Sequence, residues 1–103
     1  MASMFALLAD PVRRRILAEL RGSERSVGEL VTLLQMKQPA VSKQLRVLRD
    51  AGLAQVRVDG QRRMYSLRAD GLREIDDWIA PFRVCWSERF DAMEDLLDSM
   101  EDA

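Results

Sequence analysis

Apolar positions along the chain keep a spacing of three and four as far as residue 53, alternate at a spacing of two to about residue 68, and return to three and four beyond residue 70. Residues 3–9 form a short apolar piece with Phe5, Leu7 and Leu8. Asp10-Pro11 predicts a helix start, with Asp as N-cap and Pro at the first helical position. Val12, Ile16, Leu17 and Leu20 are the buried stripe of that helix, and Gly22 marks its end. Ser26-Val27-Gly28-Glu29 has the capping-box spacing and opens a short helix packed through Val27, Leu30, Val31 and Leu34. After a three-residue connection, Gln35-Met36-Lys37, the segment Gln38 to Leu53 reads as a further helix. Pro39 suits its first turn, Val41, Leu45 and Leu48 fall at i, i+4 and i+7, and Gly52 stands where a left-handed stop is favoured. Its other face carries Pro39, Lys43, Arg46 and Asp50, flanked by Ser42 and Arg49. Amide, hydroxyl and cationic side chains of this kind reach base edges and phosphates in a major groove. Two short helices joined by such a turn, about residues 26–51, make a helix-turn-helix.

The alternating segment, about residues 54–68, predicts a β-hairpin. Val56 and Val58 alternate with Gln55 and Arg57, Asp59-Gly60 is the turn signal, and Tyr65 and Leu67 share one face of the return strand. A hairpin directly after a helix-turn-helix is a wing, and Arg62 and Arg63 at its tip are placed to lie along phosphate or a minor groove. From about 70 to 100, Leu72, Ile75, Trp78, Ile79, Phe82, Trp86, Phe90, Met93, Leu97 and Met100 recur at helical spacing. Pro81 predicts a kink, or two helices meeting near Ala80. So long an apolar ridge exceeds what a small core can cover. A symmetric dimer through Trp78, Phe82, Trp86, Phe90, Met93 and Leu97, joined by Phe5 and Leu8 of the first segment, accounts for it. The competing arrangement folds the ridge back onto its own domain.

Charge sharpens this picture. The net charge is −1, but residues 1–68 hold 13 Lys/Arg against 6 Asp/Glu, a net of +7, and residues 69–103 hold 3 against 11, a net of −8. A basic front and an acidic back fit one face turned to phosphate and another turned away. Arg13, Arg14 and Arg15 stand in the first turns of their helix, against its dipole. They are expected either to be solvated or to meet acidic groups, phosphate or the acidic C-terminal helix. The chain has no histidine and one cysteine, Cys85, so the commonest general base, metal ligand and nucleophile pairs are missing. No enzymatic activity, cofactor or metal is expected. Cys85 lies near the apolar stripe, where a lone cysteine is most often a small packing residue, with Arg83 and Arg89 nearby as the argument for a sensing role. No apolar run reaches membrane-spanning length and the N-terminal residues lack a signal-peptide pattern, so a cytoplasmic location is expected.

Three motifs in order resemble the ArsR family of winged helix-turn-helix transcriptional repressors, over about residues 5–100. Leu8-Ala9-Asp10-Pro11-Val12-Arg13-Arg14-Arg15-Ile16-Leu17 is similar to the family's opening. Gln38-Pro39-Ala40-Val41-Ser42-Lys43-Gln44-Leu45-Arg46-Val47-Leu48 with Ala51-Gly52-Leu53 is similar to its recognition helix, and Gly60-Gln61-Arg62-Arg63-Met64-Tyr65 to its wing. The resemblance implies a homodimer of helix-helix-helix-helix-strand-strand-helix topology on a palindromic operator. By matching position it puts recognition contacts on Gln38, Ser42 and Lys43, with Pro39 and Gln44 beside them. Metal-sensing members carry a Cys-x-Cys-type pair in the helix before the recognition helix, where this chain has Val27-Gly28-Glu29-Leu30-Val31. Others use Asp and His across the last helices, where this chain has Asp76 and Asp77 but no histidine. The tail with Trp78, Pro81-Phe82 and Trp86 is more like non-metal members.

The sequence therefore reads as one winged helix-turn-helix domain over 1–103, mainly α with a β-hairpin wing, dimerising through terminal helices. Its expected function is sequence-specific regulation of transcription, as a repressor on double-stranded DNA. The alternative is a protein-interaction module that uses the acidic C-terminal helix without reading DNA; a small hydrolase is a weaker third. The effector, if one exists, is not legible. With no histidine and one cysteine, no thiolate or imidazole cluster forms within a subunit. Stoichiometric Zn²⁺ or arsenite is thus expected to leave operator affinity unchanged. Tight stoichiometric release from DNA would refute this, and Cys85→Ser closes the one remaining route, a cysteine pair across a dimer.

Overall fold

Local capping decides where the first helices begin. In the computed structural model, which describes residues 3–101, the Ser3 hydroxyl accepts from the Ala6 amide and caps α1 (Met4–Leu8). Asp10 accepts from the Val12 amide at 2.8 Å and, with Pro11 in the first turn, opens α2 (Pro11–Leu20). The capping box forms in both directions at the start of α3 (Val27–Leu34). The Ser26 hydroxyl accepts from the Glu29 amide at 3.2 Å, and the Glu29 carboxylate accepts from the Ser26 amide at 3.1 Å. Helix α4 (Gln38–Asp50) has Pro39 in its first turn and no side-chain cap from Lys37. It stops as its glycine predicts. Gly52, at φ +78°, donates to the Arg49 carbonyl at 3.0 Å, and the Leu53 amide donates to the Leu48 carbonyl at 2.9 Å.

The three helical stripes meet in one core. Ile16, Leu17 and Leu20 of α2, Leu30 and Leu34 of α3, and Val41, Leu45 and Leu48 of α4 are buried together with Leu7, Leu53, Ala54 and Tyr65. Each large apolar side chain so buried contributes about 1.5–3 kcal/mol. Three such anchors on one side of α4 fix which side faces out.

The wing differs from the expected two-stranded hairpin. Strands β2 (Ala54–Asp59) and β3 (Arg62–Leu67) are joined by a third, two-residue strand, β1 (Arg25–Ser26), in the order β1-β3-β2, all antiparallel. β1 pairs Arg25 with Tyr65 and Ser26 with Met64, so the residue that caps α3 also closes the sheet. Two residues without an apolar alternation leave no periodic trace, which is why pattern alone missed them. Asp59 of the turn signal pairs with Arg62, so the loop itself is Gly60-Gln61. Of the two loop residues only Gly60 has positive φ (+63°), the requirement of a type II′ hairpin turn, in which glycine takes the first central position.

The arginines of α2 are not simply solvated, but reach carbonyls at the ends of neighbouring helices. The Arg14 guanidinium donates to the carbonyls of Leu8 (2.7 Å) and Ala9 (3.1 Å), and Arg15 donates to that of Leu33 (2.8 Å). They cover the C-terminal carbonyls of α1 and α3, where positive charge is favourable, so what α2 loses to its own dipole is offset at its neighbours.

The chain separates into two compact units, one through Arg73 and one from Glu74 on. A 3-10 turn (Ala69–Leu72) leads into α5 (Arg73–Glu101), one continuous helix of 29 residues. Pro81 was expected to kink this helix or to divide it near Ala80, and α5 is not divided there. Proline removes one ladder hydrogen bond, and Asp77 and Pro81 are both solvent-exposed, so the unpaired carbonyl is hydrated instead of stranded. No described residue of α5 is buried. The Trp78 and Phe82 rings meet one turn apart at a tilt of 41°, with centroids 4.9 Å from each other, and Arg83 pairs with Asp76.

The turn between α3 and α4 holds Gln35 at φ 53°, ψ 45°. A left-handed residue bearing a Cβ costs roughly 1–2 kcal/mol, and glycine's extra chain entropy returns about 0.5–1 kcal/mol of that. Gln35→Gly is expected to leave urea stability unchanged or raise it by up to about 1 kcal/mol, whereas Gln35→Val lowers it. Clear destabilisation by glycine would show that the Gln35 side chain itself holds the turn.

Candidate nucleic-acid interface

With Val41, Leu45 and Leu48 fully buried, α4 presents Gln38, Pro39, Ser42, Lys43, Arg46 and Arg49 to solvent. Two open grooves run along this face. One is lined by Gln38, Ser42, Arg46, Arg49 and Asp50 together with Val27 of α3 and with Tyr65 and Arg63 of the wing. The other lies among Pro39, Ser42, Lys43 and Arg46. Ser42 and Arg46 therefore sit between both, and the side chains can reach a polyanion from one side.

Two of the predicted contact residues are held differently. Gln44 is half-buried, and its Oε1 accepts from Arg13 Nε at 2.9 Å while Arg13 also donates to the Leu7 carbonyl at 3.3 Å. It serves as a strut between α4 and the α1–α2 pair. Arg62 lies on the opposite side of β3 from Arg63, and its guanidinium donates to Glu29 Oε1 at 3.0 Å. Arg57 of β2 makes a bidentate pair with Glu24 at 2.6 and 2.8 Å. The Glu24 carboxyl is held below its usual range first by its hydrogen bonds with Arg57. That of Glu29 is held down first by the Ser26 amide, then by the Ser26 hydroxyl, with Arg62 and Arg25 adding to it. Both carboxylates stay ionised at neutral pH, and the stability they contribute fades only as pH falls below the glutamate range.

Sequence reasoning missed these ties. Glu29 was legible as a cap, but its pairing with Arg62 spans 33 residues and exists only because β1 brings the two together. Of the residues assigned to a dimer face, Trp78, Phe82, Trp86, Phe90, Met93 and Leu97 of α5 are all exposed, Trp86 by 52% and Phe90 by 67%. Phe5 is 41% exposed, whereas Leu8 is half-buried against the core. Cys85 is exposed. Among the described residues no group of three or more His, Cys, Asp or Glu side chains could hold a metal, and no helix is long and apolar enough to cross a membrane.

A recognition helix with an anchored apolar side, an outward polar and cationic side and an arginine-bearing hairpin beside it defines a winged helix-turn-helix DNA-binding protein. Residues 10–56 match the family described as bacterial regulatory protein, arsR family. The chain is 37% identical over 95 residues to the HTH-type transcriptional regulator Rv2034 of Mycobacterium tuberculosis, covering 92% of this chain and 86% of that one. It is 29% identical to the transcriptional repressor SdpR of Bacillus subtilis, over 80% of this chain and 91% of SdpR. Its fold superposes on the crystal structure of Mycobacterium tuberculosis Rv0081 with a TM-score of 0.65 at 35% identity, over 84% and 88% of the two chains. The chain belongs to the arsR family of winged helix-turn-helix transcriptional regulators.

Proposed function

We propose that the protein represses transcription as a homodimer on a palindromic operator. The observation that carries the DNA-facing assignment is the single outward face of α4, where Gln38, Ser42, Arg46 and Arg49 share one groove with Arg63 and Lys43 lines the second with Ser42 and Arg46. Two such helices enter successive major grooves about one turn, roughly 34 Å, apart, and the bound dimer occludes its promoter. Gln38, Ser42 and Lys43, toward the N-terminal end of α4, read base edges. Arg46, Arg49 and Arg63 hold phosphate. The first turn of α4, without a side-chain cap, leaves the positive end of its dipole to the same polyanion. The name of SdpR supports repression rather than activation.

The dimer rests on α5. Its exposed Phe82, Trp86, Phe90, Met93 and Leu97 form a continuous apolar side of the kind that a soluble chain covers with a second copy. Light scattering should give a dimer at micromolar concentration. Trp86→Glu is expected to give a monomer that loses operator binding, and a wild-type monomer would overturn the arrangement.

Reading and holding separate in titrations on the chain's own upstream DNA and on scrambled duplex, from about 50 to 200 mM salt. Gln38→Ala should relax preference at one or two positions, by about 1–3 kcal/mol for a bidentate contact, with the salt slope almost unmoved. Arg63→Ala should weaken both duplexes alike and reduce the log–log slope by about 0.9 per lost phosphate contact. A wing variant that lost sequence preference and kept its slope would reverse the assignment.

A further inference from the structure

The two tip arginines of the wing have opposite surroundings. Arg63 opens onto the groove with Gln38, Ser42, Arg46 and Arg49, and no ion pair engages it among the described residues. Arg62 is paired with Glu29 at 3.0 Å. The partner is not a free-swinging surface glutamate. The same Glu29 Oε1 accepts from the Ser26 amide at 3.1 Å, and Oε2 lies 3.8 Å from Arg25. Glu29 is thus held in place at the N-terminus of α3 as a fixed partner for Arg62. Much of the entropy that usually weakens an exposed ion pair is therefore already lost to the capping box.

We propose that Glu29 is a specificity-determining residue that withholds Arg62 from DNA phosphate and so keeps non-specific affinity low. This rests on the reading of the wing as a backbone contact. Each phosphate neutralised adds about 0.9 to the salt slope for any sequence. An unpaired Arg62 strengthens binding to operator and genome alike. Biological discrimination depends on the ratio between the two. An acidic partner lowers the sequence-independent part without touching the base-reading side chains of α4, because Glu29 faces Arg62 and not that groove. Glu24 does the same for Arg57 on the neighbouring strand, through a bidentate pair. The wing therefore grips with Arg63 and keeps its two other arginines internally neutralised.

Glu29→Gln separates the two duties of the residue, since glutamine serves equally in a capping box but carries no charge. Binding to a random-sequence duplex is titrated between about 50 and 200 mM salt. Glu29→Gln is expected to bind about five-fold more tightly at about 50 mM salt, the upper end of what an exposed ion pair supplies, with a slope steeper by about 0.9, so that the gain shrinks roughly 3.5-fold by about 200 mM. Arg62→Ala alone, which leaves the capping box intact, is expected to keep the wild-type slope, and Glu29→Gln with Arg62→Ala is expected to lose the gain. Retention of the gain in the double variant would assign the effect to repulsion by Glu29 itself and overturn the proposal. So would an Arg62→Ala slope as shallow as that of Arg63→Ala, a result that does not depend on how Glu29→Gln folds. If neither arginine variant moved the slope while the wild type bound, the wing reading would fall instead. A wild type that bound no duplex would remove the DNA assignment of the whole face.

Discussion

Ser26 ties the wing to the helix that precedes the recognition helix, beside the core contacts of Leu53, Ala54 and Tyr65. Its backbone closes the third strand against Met64, its hydroxyl caps α3, and its amide is held by Glu29. It is buried, so none of these bonds competes freely with water. Helix α3 packs against α4 through the core, and β3 pairs with β1 and β2. A two-residue strand thus joins a hairpin that is marginal alone to a helix pair that has a hydrophobic core.

The second organising fact is where the positive charge is spent. The basic front counted along the sequence overstates what faces DNA. Arg13, Arg14 and Arg15 are committed to carbonyls and to Gln44, Arg57 and Arg62 to carboxylates, and Arg25 lies between Glu19 and Glu29. What remains around the grooves is a compact set, Lys43, Arg46, Arg49 and Arg63. Charge in this protein builds helix ends and strand braces first, and only the remainder is left for a polyanion.

The helices were legible because each carries its own punctuation within four residues: Asp10-Pro11, Ser26 with Glu29, Gly52 after Leu48. The outward side of α4 followed from the period of its apolar residues, and most of the candidate interface came with it. What stayed hidden depends on partners far along the chain. β1 is too short to have a period. Asp59 belongs to β2 and the loop is Gly60-Gln61, because strand pairing, not turn propensity, sets register. Pro81 sits in a helix whose exposed position lets water take the broken bond, a property of surroundings that residue type does not carry. Gln44 and Arg62 looked alike to neighbouring contact residues in sequence and were claimed by Arg13 and Glu29 across the fold.

The buried Tyr65 gives β3 a phase. Since side chains alternate along a strand, one residue gained or lost between Arg63 and Tyr65 would exchange the sides on which the two tip arginines lie, turning the paired one outward and the gripping one inward. The loop Gly60-Gln61 lies beyond both arginines and can grow without disturbing that phase. Length variation in this wing is therefore tolerated at its tip and forbidden on its return strand, and divergence among related regulators has room to lengthen the reach of the hairpin without altering which charge it presents.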